Sequence, residues 1–240
     1  LKLRTRALAL RRAAPAPASQ ANSGAAQFEI DCDVAGRRET IPARAVVLAT
    51  PARASASLLA PVAPAAAFLA GIEYAPVAVV GGSYASEHLK RPLNGFGFLA
   101  PRTEGTRVLG TVWNSSLFPG RAPEDQVMLT SFVGGATDPA AASLPEGPLY
   151  QTVESELRRI LGIFFSPKIR FAQRWPQAIP QYNLGHAELI RRVRAALVQT
   201  PGVFLAGNYL DGPSVGACVE TANRVAEQAA AFLSAPLTAP

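Results

Sequence analysis

Two rhythms of hydrophobic positions run through the chain. Leu1-Lys2-Leu3-Arg4-Thr5-Arg6 alternates apolar and polar residues, and Phe28-Glu29-Ile30-Asp31-Cys32-Asp33-Val34 does so again, which is the period of a half-buried strand. Ala14-Pro15-Ala16-Pro17-Ala18-Ser19 and the polar residues up to Gly24 lie between them, so the pair predicts a β-hairpin with a long tip. After a turn at Gly36, Ala45-Val46-Val47-Leu48-Ala49 is a continuous apolar run. That pattern predicts a strand buried on both faces, as in layered α/β sheets. Residues 51–71 read as one or two short Ala-rich helices broken near Pro61 and Pro64, where a proline ring opposes helix continuation.

From residue 76 the character changes. The runs 76–80, 97–99, 108–113 and 127–132 are separated by Gly/Pro turns with no long helix between them, and such a series predicts an antiparallel sheet. A helix over residues 149–161 follows, with Val153, Leu157, Ile160 and Leu161 on the face expected to lie against that sheet. A strand at 169–175 leads through the irregular stretch 179–186 to a helix at 188–198. A buried strand, Val203-Phe204-Leu205-Ala206, then passes through a glycine-bearing turn into a last helix over 215–233. In that helix Val215, Cys218, Val219, Ala222, Val225, Ala226, Ala229 and Phe232 recur with the 3.6-residue period. The expected fold class is α/β plus antiparallel β: an α/β domain built from both ends of the chain, with a sheet module inserted between them.

Composition narrows the class. With 49% hydrophobic and 17% charged residues over 240 positions, the chain buries a real core, and disorder is excluded for most of it. Cys32 and Cys218 stand far apart without a C-x-x-C, so neither a disulfide scaffold nor a zinc or other metal site is expected. Residues 54–72 form a long uncharged stretch, but it is Ala-dominated and cut by two prolines, and it reads as buried and not membrane-spanning. The chain opens without Met on an alternating strand, which predicts a truncated chain and not a signal or transit peptide. The net charge of +6 comes from arginine, clustered at Arg158-Arg159 and at Arg191, Arg192 and Arg194. Without interleaved aromatics it reads as a solvated basic face, and no nucleic-acid partner is expected.

The segment richest in chemistry is Gly202-Val203-Phe204-Leu205-Ala206-Gly207-Asn208-Tyr209-Leu210-Asp211-Gly212-Pro213-Ser214-Val215-Gly216, a strand, a glycine turn and a helix start. Free amides and the positive end of the helix dipole converge there, which suits a phosphate or an electron-rich heterocycle oxygen. A strand-to-helix turn without a ligand fits the pattern equally well. Gly212-Pro213-Ser214-Val215-Gly216 also matches the G-x-S-x-G nucleophile elbow, in which the catalytic His follows the Ser. Here His88 and His186 both precede Ser214, so the hydrolase reading is set aside and both histidines read as structural. Phe96, Phe98, Leu99, Val112, Trp113, Phe118 and Phe132 give the middle sheet an apolar, aromatic character. Ordinary core explains them most simply, and a pocket for a large flat ligand is the other reading.

Three segments together resemble the oxygen-dependent protoporphyrinogen and coproporphyrinogen oxidases of the flavin amine oxidase superfamily. They are Gly95-Phe96-Gly97-Phe98-Leu99 with the run from Leu109 through Trp113-Asn114-Ser115-Ser116-Leu117-Phe118-Pro119-Gly120-Arg121-Ala122-Pro123 to Phe132-Val133-Gly134-Gly135; Ala178-Ile179-Pro180-Gln181-Tyr182-Asn183-Leu184-Gly185-His186; and Gly207-Asn208-Tyr209 to Cys218-Val219-Glu220. The resemblance implies an incomplete FAD/NAD(P)-binding (glutathione-reductase-like) domain from residues 1–60 and 188–240, with an inserted α+β substrate domain over 61–187. It implies an enzyme in which FAD takes six electrons from a porphyrinogen in three steps and passes them to O2, in the cytoplasm at the membrane face. A homodimer is among the expected assemblies. Flavin-dependent amine oxidation and a non-catalytic porphyrin-binding remnant are the alternatives.

Carried over by position, the cofactor contacts fall on Ala7, Gly207, Asn208, Gly212, Pro213, Ser214 and Val215, and the substrate contacts on Phe96, Gly97, Leu99, Val112 and Phe132. No catalytic side chain is assigned. Pro213 stands where the family usually has an aliphatic residue with an N–H, and Ala217 where an acid is common. The family's glycine fingerprint for the FAD pyrophosphate, its membrane-docking helices and its carboxylate-binding arginine do not appear in this sequence, which predicts a carboxy-terminal half that binds FAD poorly on its own.

Overall fold

The computed structural model describes residues 1–14, 26–90 and 92–235. The chain forms two compact units, one from Leu1–Glu73 and Tyr182–Pro240, the other from Tyr74–Gln181. The first unit contains an antiparallel sheet of β1 (Thr5–Arg12), β2 (Phe28–Val34) and β3 (Arg37–Ala43). The predicted β1–β2 pairing is present, with Arg12 opposite Phe28, while residues 15–25 of the expected hairpin tip lie outside the described residues. Ala35 and Gly36 both have positive φ, 50° and 88°. That is the geometry of a two-residue hairpin turn matched to strand twist, and Asp33 accepts the Gly36 amide at 2.7 Å. The sequence pattern did not predict β3, because Arg-Arg-Glu-Thr is polar; as an edge strand it tolerates Pro42.

In the same unit β4 (Val46–Leu48) pairs in parallel with β10 (Val203–Leu205). One face of the pair is covered: Leu48, Val203 and Leu205 are buried. The expectation that β4 is buried on both faces is corrected, since Val47 is 45% exposed. Helix α1 (Ala52–Leu59) buries Leu58 and Leu59. A 3-10 segment, Pro64–Gly71, packs on α1 and on α4 (His186–Val198), so residues 61–73 belong to this unit. Helix α5 (Val215–Ser234) also departs from expectation. Of its predicted apolar stripe only Val225 is buried, while Val215 and Val219 are 81% and 54% exposed.

The second unit is a five-stranded antiparallel sheet in the order β6 (Gly97–Leu99), β7 (Val108–Trp113), β8 (Gln126–Gly134), β5 (Tyr74–Ala85), β9 (Ile169–Pro180). A one-turn helix, α2 (Asn114–Leu117), follows β7, and α3 (Glu146–Leu161) covers one face of the sheet. Leu149, Val153, Leu157 and Leu161 of α3 pack with Ala78, Val80, Leu129 and Val133 into the core. These alternate strand positions point one way, so the residues between them point the other. Gly162, at φ 68°, ends α3.

Candidate functional site

The predicted cofactor residues of the second half gather on one turn. Leaving β10, the chain reaches Gly207, where a Cβ would come within 2.6 Å of the Tyr209 ring. Tyr209 is fully buried, its hydroxyl 3.1 Å from Ser55 Oγ, which lies 2.8 Å from Thr50 Oγ1. Tyr182 Oη donates to the Asn208 carbonyl at 2.8 Å and its ring stacks on His186 at 4.1 Å. His186 Nε2 lies 2.9 Å from the Tyr209 carbonyl. Only an N–H can bond that oxygen, so this contact fixes the proton on Nε2. The turn is thereby held by buried neighbours, and His186 is structural, as the sequence suggested.

Asp211 ties the turn to both helices. It accepts from Arg194 of α4 at 2.6 Å, from Arg224 of α5, and from Thr221 at 3.4 Å. Burial pushes its carboxyl up, but the two guanidiniums outweigh that effect and hold it below the ordinary value of 3.8. Ser214 is the N-cap of α5: its Oγ accepts the Ala217 amide at 3.1 Å, which caps the helix and leaves its O–H to donate. The first-turn amides of Val215 and Gly216 have no intrahelical acceptor. A Cβ on Gly216 would meet only Ser214 Oγ, at 3.9 Å, so the space beside the helix start is open. Helix dipole, free amides and open space fit the electron-rich edge of a flavin. Ala7 stands apart on β1, opposite Cys32 at a bulge.

The predicted substrate residues gather on the uncovered face of the five-stranded sheet. The register aligns Leu99, Gly110, Phe132 and Val79 in one row, and Gly97, Val112, Thr130, Gly81 and Phe171 in the next. Gly97, at φ 140°, lies so close to β7 that a Cβ would sit 1.9 Å from the Thr111 carbonyl oxygen; no other residue fits there. The grouping of Phe96 with the β6 residues is corrected: it precedes β6 and is 79% exposed, although its carbonyl accepts the Trp113 amide at 2.9 Å. Phe98 and Trp113, for which ordinary core was the simpler reading, do pack against the α3-side core.

Sequence reasoning missed the contribution of β9. Phe171 lies over Gly81, where a Cβ would fall 2.1 Å from its ring, and Trp175 continues the wall opposite Val77 at 54% exposure. The signal was the alternation Ile169, Phe171, Gln173, Trp175. A cavity of about 600 Å³ lies elsewhere, between α4, β10 and α5 with Leu197, Phe204 and Val225 in its lining, and contains none of the predicted residues. Among the described residues no group of His, Cys, Asp and Glu could hold a metal ion, and no helix is long and apolar enough to cross a membrane.

Comparison with known proteins identifies the family. Residues 21–230 match the family described as flavin containing amine oxidoreductase. The chain is 37% identical over 206 residues to the chloroplastic protoporphyrinogen oxidase of Nicotiana tabacum, covering 81% of this chain and 38% of that protein. It is 26% identical to the coproporphyrinogen III oxidase of Bacillus subtilis (strain 168), covering 81% and 41%. A crystal structure from Exiguobacterium sp. 255-15, provisionally described as a protoporphyrinogen oxidase, superposes with a TM-score of 0.74 at 26% identity, over 96% of this chain and 47% of that one. The chain thus spans about two-fifths of the length of the curated relatives it matches. The match over residues 21–230 settles the family: this chain belongs to the flavin containing amine oxidoreductases.

Proposed function

We propose that the chain is the carboxy-terminal part of an FAD-dependent porphyrinogen oxidase, converting protoporphyrinogen IX or coproporphyrinogen III to the porphyrin with O2 as the electron acceptor. The observation that carries this reading is that Gly97, Leu99, Val112 and Phe132, separated by up to 35 positions, share one open apolar sheet face. Family membership supplies the flavin. The exposed Val47, Val215 and Val219 support a first unit that completes a larger FAD/NAD(P)-binding domain with chain outside these residues, into which the Tyr74–Gln181 unit is inserted.

When bound, FAD supplies the redox chemistry, accepting two electrons at a time. The residues of this chain bind and orient. The amides of Val215 and Gly216, at the positive end of α5, offset negative charge on the cofactor, while Gly207, Asn208, Gly212 and Pro213 line its approach without bulky side chains. Ala7 contributes backbone on the adenine side. On the other unit, Leu99, Val112 and Phe132 hold the macrocycle by apolar and stacking contact and exclude water. The paired strand positions on that face carry no ionisable side chain. The wall positions the substrate and moves no proton.

The test is an absorbance and fluorescence titration of the full-length protein with each porphyrinogen under air. Flavin absorbance and red porphyrin fluorescence growing with one substrate are expected, and amine turnover without porphyrin would overturn the reading. The 240-residue chain by itself is expected to be nearly colourless and inactive; a strongly yellow, active preparation would refute the division of the FAD site.

A further inference from the structure

The open wall does not end in apolar residues on every side. Beyond Phe171 and Met128 it runs into a cavity of about 180 Å³ whose lining includes Arg121, Pro123, Gln126, Met128, Ile169 and Phe171. Its lining is mostly apolar and carries one cation, Arg121. Among the described residues no carboxylate pairs with Arg121: Asp125 is taken by Lys168 at 3.2 Å, and no ion pair joins Arg121 to Glu124. The guanidinium instead leans over the Phe118 ring, 5.7 Å from its centroid, which holds it near the cavity without consuming its donors. Gln126 is already engaged, accepting from Ser83 through Oε1 and donating its amide N–H to the Asp125 carboxylate. A forked cation at the end of a greasy slot matches an acid group on an apolar arm.

We propose that Arg121 is a specificity residue that binds a carboxylate side chain of the macrocycle while the ring lies on the Leu99, Val112 and Phe132 wall. The inference rests on the porphyrinogen reading above. It gives this chain its own acid-recognition group, so the number and position of substrate carboxylates are sensed here and not only in the remainder of the protein. No bond is made or broken; the contact is a charge-assisted hydrogen bond.

The experiment measures dissociation constants for the full-length protein by quenching of tryptophan fluorescence, Trp175 lying on the wall itself. The probes are coproporphyrin III and its tetramethyl ester, which share a ring but differ in charge. Arg121→Gln is expected to weaken coproporphyrin III binding about tenfold and leave the ester unchanged, with Arg121→Lys between the two. Phe132→Ala is expected to weaken both probes alike. If Arg121→Gln leaves both probes unchanged, or weakens both equally through lost packing on Phe118, the proposal is overturned while the wall stands. If Phe132→Ala changes neither, the wall reading itself fails.

Discussion

The two faces of the five-stranded sheet are made of similar residues and meet different fates. On one side Ala78, Val80, Leu129 and Val133 are sealed under α3, and the polar pair Thr111 and Ser131 is buried with its hydroxyls 2.9 Å apart. On the other side Val79, Val112, Thr130 and Phe132 stand half-buried, and Leu99 is 87% exposed. Alternation along a strand distributes apolar residues to both faces, but only a helix in the right place turns a face into core. An apolar sheet face left open by the rest of its unit is costly to hydrate, and it suits a flat ligand in place of the absent layer.

The comparison breaks most visibly if one side chain is truncated on each face. Leu157→Ala removes a fully buried α3 residue and is expected to cost ~2–5 kcal/mol, the range for leucine cavities. Its effect on porphyrin affinity should be small in whatever fraction stays folded. Phe132→Ala, on the same sheet, should change stability by only ~1 kcal/mol because its open-face surroundings are already wet, yet raise the apparent KM about tenfold with flavin content unchanged. Urea unfolding, flavin absorbance and steady-state kinetics on both variants separate the outcomes; loss of flavin on Phe132→Ala would move that residue off the substrate wall.

A finer contrast uses hydroxyls one rung apart in the sheet. Thr111→Val leaves Ser131 Oγ buried without its partner and is expected to cost ~1–3 kcal/mol. Thr130→Val, on the open face of the neighbouring strand, should stay within ~0.5 kcal/mol, as solvated substitutions do. Equal losses in a chemical denaturation experiment would mean that the two faces are not distinguished as described.

How much of this was written in the sequence depends on what each pattern can encode. The strands of the second unit were legible because Val77 to Val80, Val108 to Val112 and Val127 to Phe132 are β-branched or apolar runs between Gly/Pro turns. The strand β3 was not legible, since Arg37 to Thr40 carries no apolar period. Burial was the weakest inference. The run around Val47 and the stripe on α5 specify faces that want cover but not whether anything covers them. The same limit split the aromatic set: Phe98 and Trp113 became core while Leu99, Val112 and Phe132 became wall, a division set by strand parity and the position of α3. The turn proposed to hold the cofactor is marked in the sequence by its glycines and helix start, whereas its clasp by Tyr182, His186 and Ser55 joins positions up to 154 apart and has no local signature.

The smallest expected difference between the faces is electrostatic. Asp138 caps the 3-10 turn Pro139–Ser143, accepting the Ala141 amide at 3.2 Å, and pairs with Arg107 at 2.8 Å; Ala141 and Ala142 of that turn belong to the sealed core. The Arg107 hydrogen bond, aided by the Ala141 amide, holds the Asp138 carboxyl below its ordinary value of 3.8. A carboxyl lowered on folding stabilises the native state fully above that value and loses its contribution as the pH falls through the folded one. Because the pair is partly solvated, with side-chain exposures of 41% and 35%, the loss should stay under ~1 kcal/mol. Asp138→Asn is expected to be less stable than the parent at neutral pH and to converge with it as the pH falls below the ordinary carboxyl value of 3.8. If urea midpoints stay a constant distance apart through that fall, the cap contributes packing alone and the sealed face owes nothing to this charge.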